Sequence, residues 1–230
     1  MGTESIGELA AGRPPLAGML FDLDGVLVDS VAAWGELLRD AVEALGGREF
    51  TEEEYRRSFG QSIADDCVAF LPRVTPDDLR RFYLERFAVR APMARVLDFA
   101  AEALAACRAR GLRTACVTNS PVAIARALLA AAGLTDGLDA LVGEDDVKHP
   151  KPAPDPVLLA AERIGVEPRA CALVGDSRYD IAAARDAGAI AIAIGVGAGL
   201  ELDADHRIAS LRELPALLDV LMGGHRGLSR

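Results

Sequence analysis

The sequence predicts an α/β fold: a doubly wound parallel sheet covered by helices, with an all-helical segment inserted after the first strand. Three observations predict it. After residue 111, short apolar runs alternate with helix-length amphipathic stretches, the pattern of a parallel sheet buried on both faces. One apolar run, 17–21, stands apart, followed by a long helical region before the next strand begins at Arg113. Polar clusters also recur just past the apolar runs, where such sheets bind ligands.

Residues 17–21 form a short apolar run that stops at Asp22-Leu23-Asp24-Gly25, so they read as a buried strand with carboxylates at its C-terminal end. Ser30 is placed to cap a helix reaching Leu45, where Gly46-Gly47 stops it. Thr51 and Glu54 have the spacing of a capping box for a short helix. Helical stretches follow near 62–70, 76–88 and 95–110, the last ending at Gly111.

The rhythm then becomes strand, turn, helix. Residues 113–118 read as a strand, and Ser120-Pro121 opens a helix to about Ala132. Residues 140–143 are a short strand, and Asp155-Pro156 caps and starts the next helix, with proline where the first turn tolerates it. Strands at 170–175 and 189–194 flank a helix over 178–187 that Gly188 ends. A short strand at 206–208 and a helix from Ser210 to about Leu221 complete the pattern.

Composition narrows the function. At 230 residues, 51% hydrophobic, the chain can bury a sizeable core as one domain carrying an insertion. Its net charge of −10 opposes a non-specific nucleic-acid surface, which needs clustered Lys and Arg. No apolar run approaches the roughly 18 residues of a membrane span, and 1–15 lacks the pattern of a signal peptide. We expect neither nucleic acid nor membrane as partner, and 1–16 as a mobile leader. Cys67, Cys107, Cys116 and Cys171 form no CxxC pair and read as reduced, buried thiols of a cytoplasmic protein. Only two of the 25 basic residues are lysines, Lys148 and Lys151.

The chemistry gathers at the strand ends: Asp22 and Asp24, Thr118-Asn119, Lys151, then Asp176 and Asp180. Each has an ordinary explanation alone, whether turn, helix cap or solvated charge. Together they converge on one rim of one sheet, where so many carboxylates repel without a cation. A hard divalent ion such as Mg²⁺ relieves that repulsion with few protein carboxylates plus water and phosphate. Carboxylates and metal on one side, with hydroxyl, amide and ammonium on the other, suit phosphoryl transfer. Gly195-Val196-Gly197-Ala198-Gly199 lacks GxGxxG spacing and reads as a rim loop. His149, His206 and His225 lack ligand spacing and read as surface residues. Ser177 is outside any GxSxG context, and Trp34 reads as packing.

The segment from Phe21 to Ser30, Phe21-Asp22-Leu23-Asp24-Gly25-Val26-Leu27-Val28-Asp29-Ser30, resembles the first motif of the haloacid dehalogenase-like (HAD) hydrolases. Thr118-Asn119 resembles their second motif, Lys151-Pro152-Ala153-Pro154-Asp155 their third and Val174-Gly175-Asp176-Ser177-Arg178-Tyr179-Asp180 their fourth. The match runs in order over about 17–222. It implies a Rossmannoid catalytic core at 17–30 and 97–230, with a helical cap at 31–96. It also implies that Asp22 is the nucleophile, forming an aspartyl-phosphate, and that Asp24 is the acid and base at the leaving oxygen. Mg²⁺ would be held by Asp22, Asp176 and the Asp24 carbonyl, with Asp180 a more distant or water-bridged partner. Thr118 and the Asn119 backbone would bind phosphoryl oxygens, and Lys151 rather than Lys148 would offset charge. Gly25 would let the chain turn tightly beside the phosphate.

The resemblance also sorts the branches. Dehalogenases lack an acid at the position of Asp24, and phosphonate-cleaving relatives need a cap lysine, which 1–147 do not contain. The β-phosphoglucomutase-like branch carries a His, an Arg and a Lys in its cap; Trp34 and Ile63 stand at the first two positions and the third is absent. A phosphatase of the phosphoglycolate-phosphatase-like group, acting on a small phosphorylated metabolite as a monomer or homodimer, is therefore expected. A sugar-phosphate mutase is the alternative, and a non-catalytic phosphate-binding regulator the third reading. In the loop 60–63, Gln61 and Ser62 are candidates to bond substrate hydroxyls, while Arg56 and Arg57 either meet a second anion or solvate a helix face.

Overall fold

The structure is a computed structural model that describes residues 12–195 and 202–223. Six strands form one sheet in the order β5-β4-β1-β6-β7-β8, every pairing parallel. They are β1 (Gly18–Phe21), β4 (Arg113–Val117), β5 (Ala140–Val142), β6 (Cys171–Gly175), β7 (Ile190–Ile194) and β8 (His206–Ile208). β1 sits centrally, Phe21 opposite Cys116 of β4 and Val174 of β6, so the residue after it emerges mid-rim.

The apolar runs are continuous because both faces are covered. Met19, Phe21, Cys116, Val174 and Ile192 pack on one face with Leu104, Leu128 and Leu218, from α5 (Ala100–Ala109), α6 (Val122–Ala131) and α9 (Leu214–Gly223). Leu20, Ala115, Leu173 and Ala191 pack on the other with Val157 and Ile181, from α7 (Asp155–Arg163) and α8 (Arg178–Asp186).

Between β1 and α5 lie α1 (Val31–Leu45), α2 (Glu52–Ser58), α3 (Ile63–Phe70) and α4 (Pro76–Arg90). The Thr51–Glu54 capping box starts α2 as its spacing predicts. This helical block joins the sheet through a two-stranded antiparallel ribbon, β2 (Val28–Asp29) with β3 (Arg95–Val96).

Three local expectations are corrected. Residues 95–110 are not one helix: Arg95 and Val96 pair with the β2 strand, Arg95 also ion-pairs with Asp29, and Phe99 at φ 66° interrupts the chain before α5. Ser30 precedes α1 but caps nothing, because its hydroxyl is engaged by Asp24. Asp155 is the first residue of α7 rather than its cap; Pro154 holds that position, and Asp155 pairs with His149.

All four cysteines are buried and unpaired. No helix among the described residues is long and apolar enough to cross a membrane. Residues 1–11 of the expected leader, 196–199 of the glycine-rich loop, and His225 lie outside the described residues.

Candidate active site

Asp22 leaves the end of β1 and Asp176 the end of β6, the two neighbouring central strands. Asp180 stands in the first turn of α8, one turn beyond Asp176, with its Oδ2 held by the Ser177 backbone and hydroxyl in a capping box. One carboxylate oxygen from each of Asp22, Asp176 and Asp180 lies within 4.8 Å of the others.

Glycines make this crowding possible. Gly25 has φ +87°, and a Cβ there would lie 2.1 Å from Asp176 Oδ2. The close neighbour of Gly25 is therefore the Asp176 carboxylate, a role its turn signal alone does not reveal. At Gly175 a Cβ would meet the Asp180 side chain at 2.1 Å.

Lys151, only 2% exposed, lies across this cluster. Its Nζ donates to Asp22 Oδ1 at 2.8 Å, to Asp180 Oδ1 at 2.5 Å and to the Val117 carbonyl at 3.0 Å. Its loop is clasped by Asn119, whose Oδ1 accepts from the Lys151 N–H and whose Nδ2 donates to the Lys151 carbonyl. Lys148, by contrast, is exposed.

Burial, then the negative charge of Asp180, pushes the Asp22 carboxyl well above the usual range, with Lys151 opposing. Burial and Asp180 push Asp176 up to about 7. Burial alone would lower the Lys151 ammonium, but Asp180 and Asp22 raise it further. Three carboxylates converging in a buried site, two of them pushed up chiefly by burial and further by neighbouring negative charge, suit a hard divalent cation, so the residues present fit Mg²⁺.

Asp24 is held in a closed cage. Oδ1 accepts from Ser30 Oγ at 2.5 Å and Trp34 Nε1 at 2.9 Å; Oδ2 accepts from Thr118 Oγ1 at 3.1 Å and Ser120 Oγ at 2.7 Å. These four bonds match the roughly four acceptor sites of a carboxylate. Ser30, Trp34 and Ser120 are site residues that sequence reasoning missed. Ser30 closes the first motif, Trp34 follows it by one helical turn, and Ser120 adjoins Thr118-Asn119, so spacing could have found them.

The helical block supplies the opposite wall of the pocket. Gln61, Tyr55, Tyr83, Ser58 and Asp66 face Asp22, Asp24 and Lys151 across it. Gln61 lines the pocket and donates to Asp66 Oδ1 at 2.8 Å. Ser62 does not line it: its hydroxyl bonds Asp65 at the start of α3, so its side chain serves the helix cap. Arg56 and Arg57 are exposed and pair with Glu52 and Glu53 on their own helix, so they solvate its face.

Besides the Trp34–Asp24 bond, two core residues, Asn119 and Glu144, bond to the helical block. Asn119 Nδ2 donates to the Gly60 carbonyl at 3.0 Å. Glu144, buried just beyond β5, accepts from the Ile63 N–H at 3.2 Å and pairs with Arg80 at 3.0 Å.

Residues 16–188 match the family model for haloacid dehalogenase-like hydrolases. The chain is 33% identical to a plasmid-borne phosphoglycolate phosphatase of Cupriavidus necator, covering 89% of this chain and 94% of that one. It is 33% identical to the N-acetylmuramic acid 6-phosphate phosphatase of Pseudomonas aeruginosa, covering 76% and 80%. Among solved structures, a hydrolase from Pseudomonas syringae superposes with a TM-score of 0.78 at 25% identity over 89% of this chain and 98% of that one. A HAD family hydrolase from Deinococcus radiodurans, with bound phosphate and sodium, gives 0.68 at 30% identity over 90% and 96%.

Proposed function

The chain belongs to the haloacid dehalogenase-like hydrolases and is a phosphatase, and from that premise we propose that it hydrolyses a small-molecule phosphomonoester in two displacements on Asp22. The observation that carries the reading is the convergence of the Asp22, Asp176 and Asp180 carboxylates beside the buried Lys151 ammonium.

Lys151 engages Oδ1 of Asp22 and so orients the carboxylate, leaving Oδ2 as the attacking atom. Attack on phosphorus forms the aspartyl-phosphate while the bond to the leaving oxygen breaks, and Asp24 delivers a proton to that oxygen. Asp24 then takes a proton from water as the water attacks phosphorus; the bond to Asp22 breaks and inorganic phosphate leaves. Asp22, Asp176 and the Asp24 carbonyl would hold Mg²⁺, with Asp180 behind them, and the ion would supply charge stabilisation at the phosphoryl oxygens. The Asn119 backbone would contribute a donor on the phosphate side, and Thr118 would join it by turning its hydroxyl from Asp24 to a phosphoryl oxygen.

Residues 31–96 act in this reading as a cap that closes over the site and excludes water. The mutase alternative needs a hold on a second phosphate, and Lys151 is the one cationic side chain lining the pocket among the described residues. Phosphate release from p-nitrophenyl phosphate that requires Mg²⁺ and falls by several orders of magnitude in Asp22→Asn is the expected result. Wild-type turnover in Asp22→Asn would overturn the assignment of the nucleophile.

A further inference from the structure

The relatives' names suggest two substrates, phosphoglycolate and N-acetylmuramic acid 6-phosphate. Both carry a carboxylate in addition to the phosphate. The wall of this pocket that would face the leaving group is built for something else.

On that wall stands Asp66, on α3, its Oδ1 accepting from Gln61 and its Oδ2 from Tyr83 at 3.0 Å. A carboxylate accepts about four hydrogen bonds, so each oxygen retains room for another donor. The neighbouring hydroxyl hydrogens already have protein acceptors. Tyr83 donates to Asp66, Tyr55 to the Val31 carbonyl at 2.6 Å and Ser58 to the Tyr55 carbonyl at 2.9 Å. Trp34 donates to Asp24, and Asn119 Nδ2 is engaged by two carbonyls. What the hydroxyl oxygens still present to a ligand is lone pairs, the Trp34 and Asn119 N–H groups are taken, and beside a protonated Asp66 the second N–H of Gln61 is the remaining side-chain donor on this wall among the described residues.

Charge points the same way. Among the described residues, Lys151 is the cation lining the pocket, and it is already paired with Asp22 and Asp180. A carboxylate on the leaving group would face Asp66 with no cation to spare, and Asp66 could receive it only by taking up a proton, whereas a hydroxyl or ammonium donor meets its free lone pairs directly. Resting on the phosphatase reading above, we propose that Asp66 selects phosphomonoesters whose leaving group carries hydroxyl or ammonium donors and no second negative charge. The substrate class is thus polyol or amino-alcohol phosphates rather than carboxylated ones. Burial pushes the Asp66 carboxyl up to about 7, and a bound donor or cation would favour its ionised form.

The test compares three phosphates of nearly equal size: 2-phosphoglycolate, 2-hydroxyethyl phosphate and 2-aminoethyl phosphate. Wild-type kcat/KM for the last two is expected to exceed that for 2-phosphoglycolate by about tenfold or more. In Asp66→Asn that ratio should fall by about fivefold or more, and Asp66→Glu should restore discrimination against the carboxylate. Because the ratio is compared between variants, intrinsic differences in leaving-group reactivity cancel. A wild type that prefers 2-phosphoglycolate, or a ratio unmoved in a folded Asp66→Asn, would overturn the inference while leaving the phosphatase reading intact. Failure of the wild type to release phosphate from p-nitrophenyl phosphate would overturn both.

Discussion

The indole Nε1 of Trp34 lies 2.9 Å from Oδ1 of Asp24, so a side chain of α1 donates to a carboxylate just past the end of β1. The ring is fixed by aromatic neighbours, edge-on to Tyr83 at 5.4 Å and tilted against Phe87 at 5.1 Å, both on α4. Residue 34 thus couples the packing of the helical block to the orientation of the proposed acid and base. When the block is seated, Asp24 is aimed by it.

Trp34→Phe keeps most of the aromatic packing and deletes this one donor. If the bond positions the acid, its loss matters most where protonation of the leaving group matters most. Hydrolysis of an alkyl phosphate should fall by about tenfold, roughly the worth of a hydrogen bond to a charged group. Hydrolysis of 2,4-dinitrophenyl phosphate, whose leaving group needs no proton, should change far less. Steady-state kcat on the two substrates checks it; equal losses would reduce Trp34 to a packing residue.

Lys151→Met leaves Asp22 and Asp180 buried without their shared cation. Breaking a buried pair by deleting one partner costs about 3–5 kcal/mol, which urea unfolding of the metal-free protein would register. Added Mg²⁺ should recover part of that stability, because it supplies positive charge to the same carboxylates. Activity should not return with it, since the ammonium that orients Asp22 is gone. An unfolding midpoint matching wild type would contradict the role assigned to this lysine.

Asp66 makes stability depend on pH in a direction opposite to that of an ordinary ion-paired carboxylate. Its folded value of about 7 lies above the usual value near 4, with burial the principal cause. Below about pH 4 the group is protonated in both folded and unfolded chains, and its contribution is fully present. As pH rises the unfolded chain ionises first, so that contribution is lost through about pH 7. The melting temperature of Asp66→Asn relative to wild type should therefore climb from pH 5 to pH 8, whatever offset the missing hydrogen bonds introduce. A flat difference would place Asp66 in ordinary solvent.

Which features could be read in advance follows from the range of the forces that make them. The strands carrying Asp22, Thr118 and Asp176 were visible because burial on both faces demands unbroken apolar runs, and the helix starting at Glu52 because its cap is local. The β2–β3 ribbon was not, since two-residue strands leave no period and their pairing sets Val28 against Val96, across the whole helical block. Ser30 and Ser62 both had the composition of caps and substrate ligands alike. Tertiary placement turned the first toward Asp24, whereas the second bonds Asp65 three residues on, a local cap of the same kind as Thr51 with Glu54. Glu144 and Asp66 carried no local signal, because their partners lie in distant segments or face a cavity the sequence does not outline.

Glu144 should act as a latch between core and helical block. It caps the first amide of α3 and holds Arg80 of α4 from its place beyond β5. Glu144→Ala removes both interactions and leaves the Ile63 N–H without that acceptor. Hydrogen exchange in residues 63–70 should accelerate, while β1 and β6 keep their protection, because each region opens with a free energy set by its own local interactions. Unchanged exchange in α3 would show that Asn119 and the apolar packing suffice to hold the block in place.

Gly25→Ala separates backbone conformation from crowding at the proposed metal site. Gly25 and Gly46 both have positive φ, +87° and +76°, so alanine at either incurs the left-handed penalty of about 1 kcal/mol. They differ in surroundings. A Cβ at Gly46 would meet nothing within 4 Å, whereas one at Gly25 would lie 2.1 Å from Asp176 Oδ2. Gly46→Ala should therefore lose about that much stability and keep its response to Mg²⁺. Gly25→Ala must push the Asp176 carboxylate aside, so the Mg²⁺ concentration for half-maximal activity should rise by about tenfold or more, as for other disturbances of a metal's immediate supports. Titration of p-nitrophenyl phosphate hydrolysis with Mg²⁺ in both variants provides the comparison. Equal responses in the two would mean that the contact between Gly25 and Asp176 does not shape the metal site.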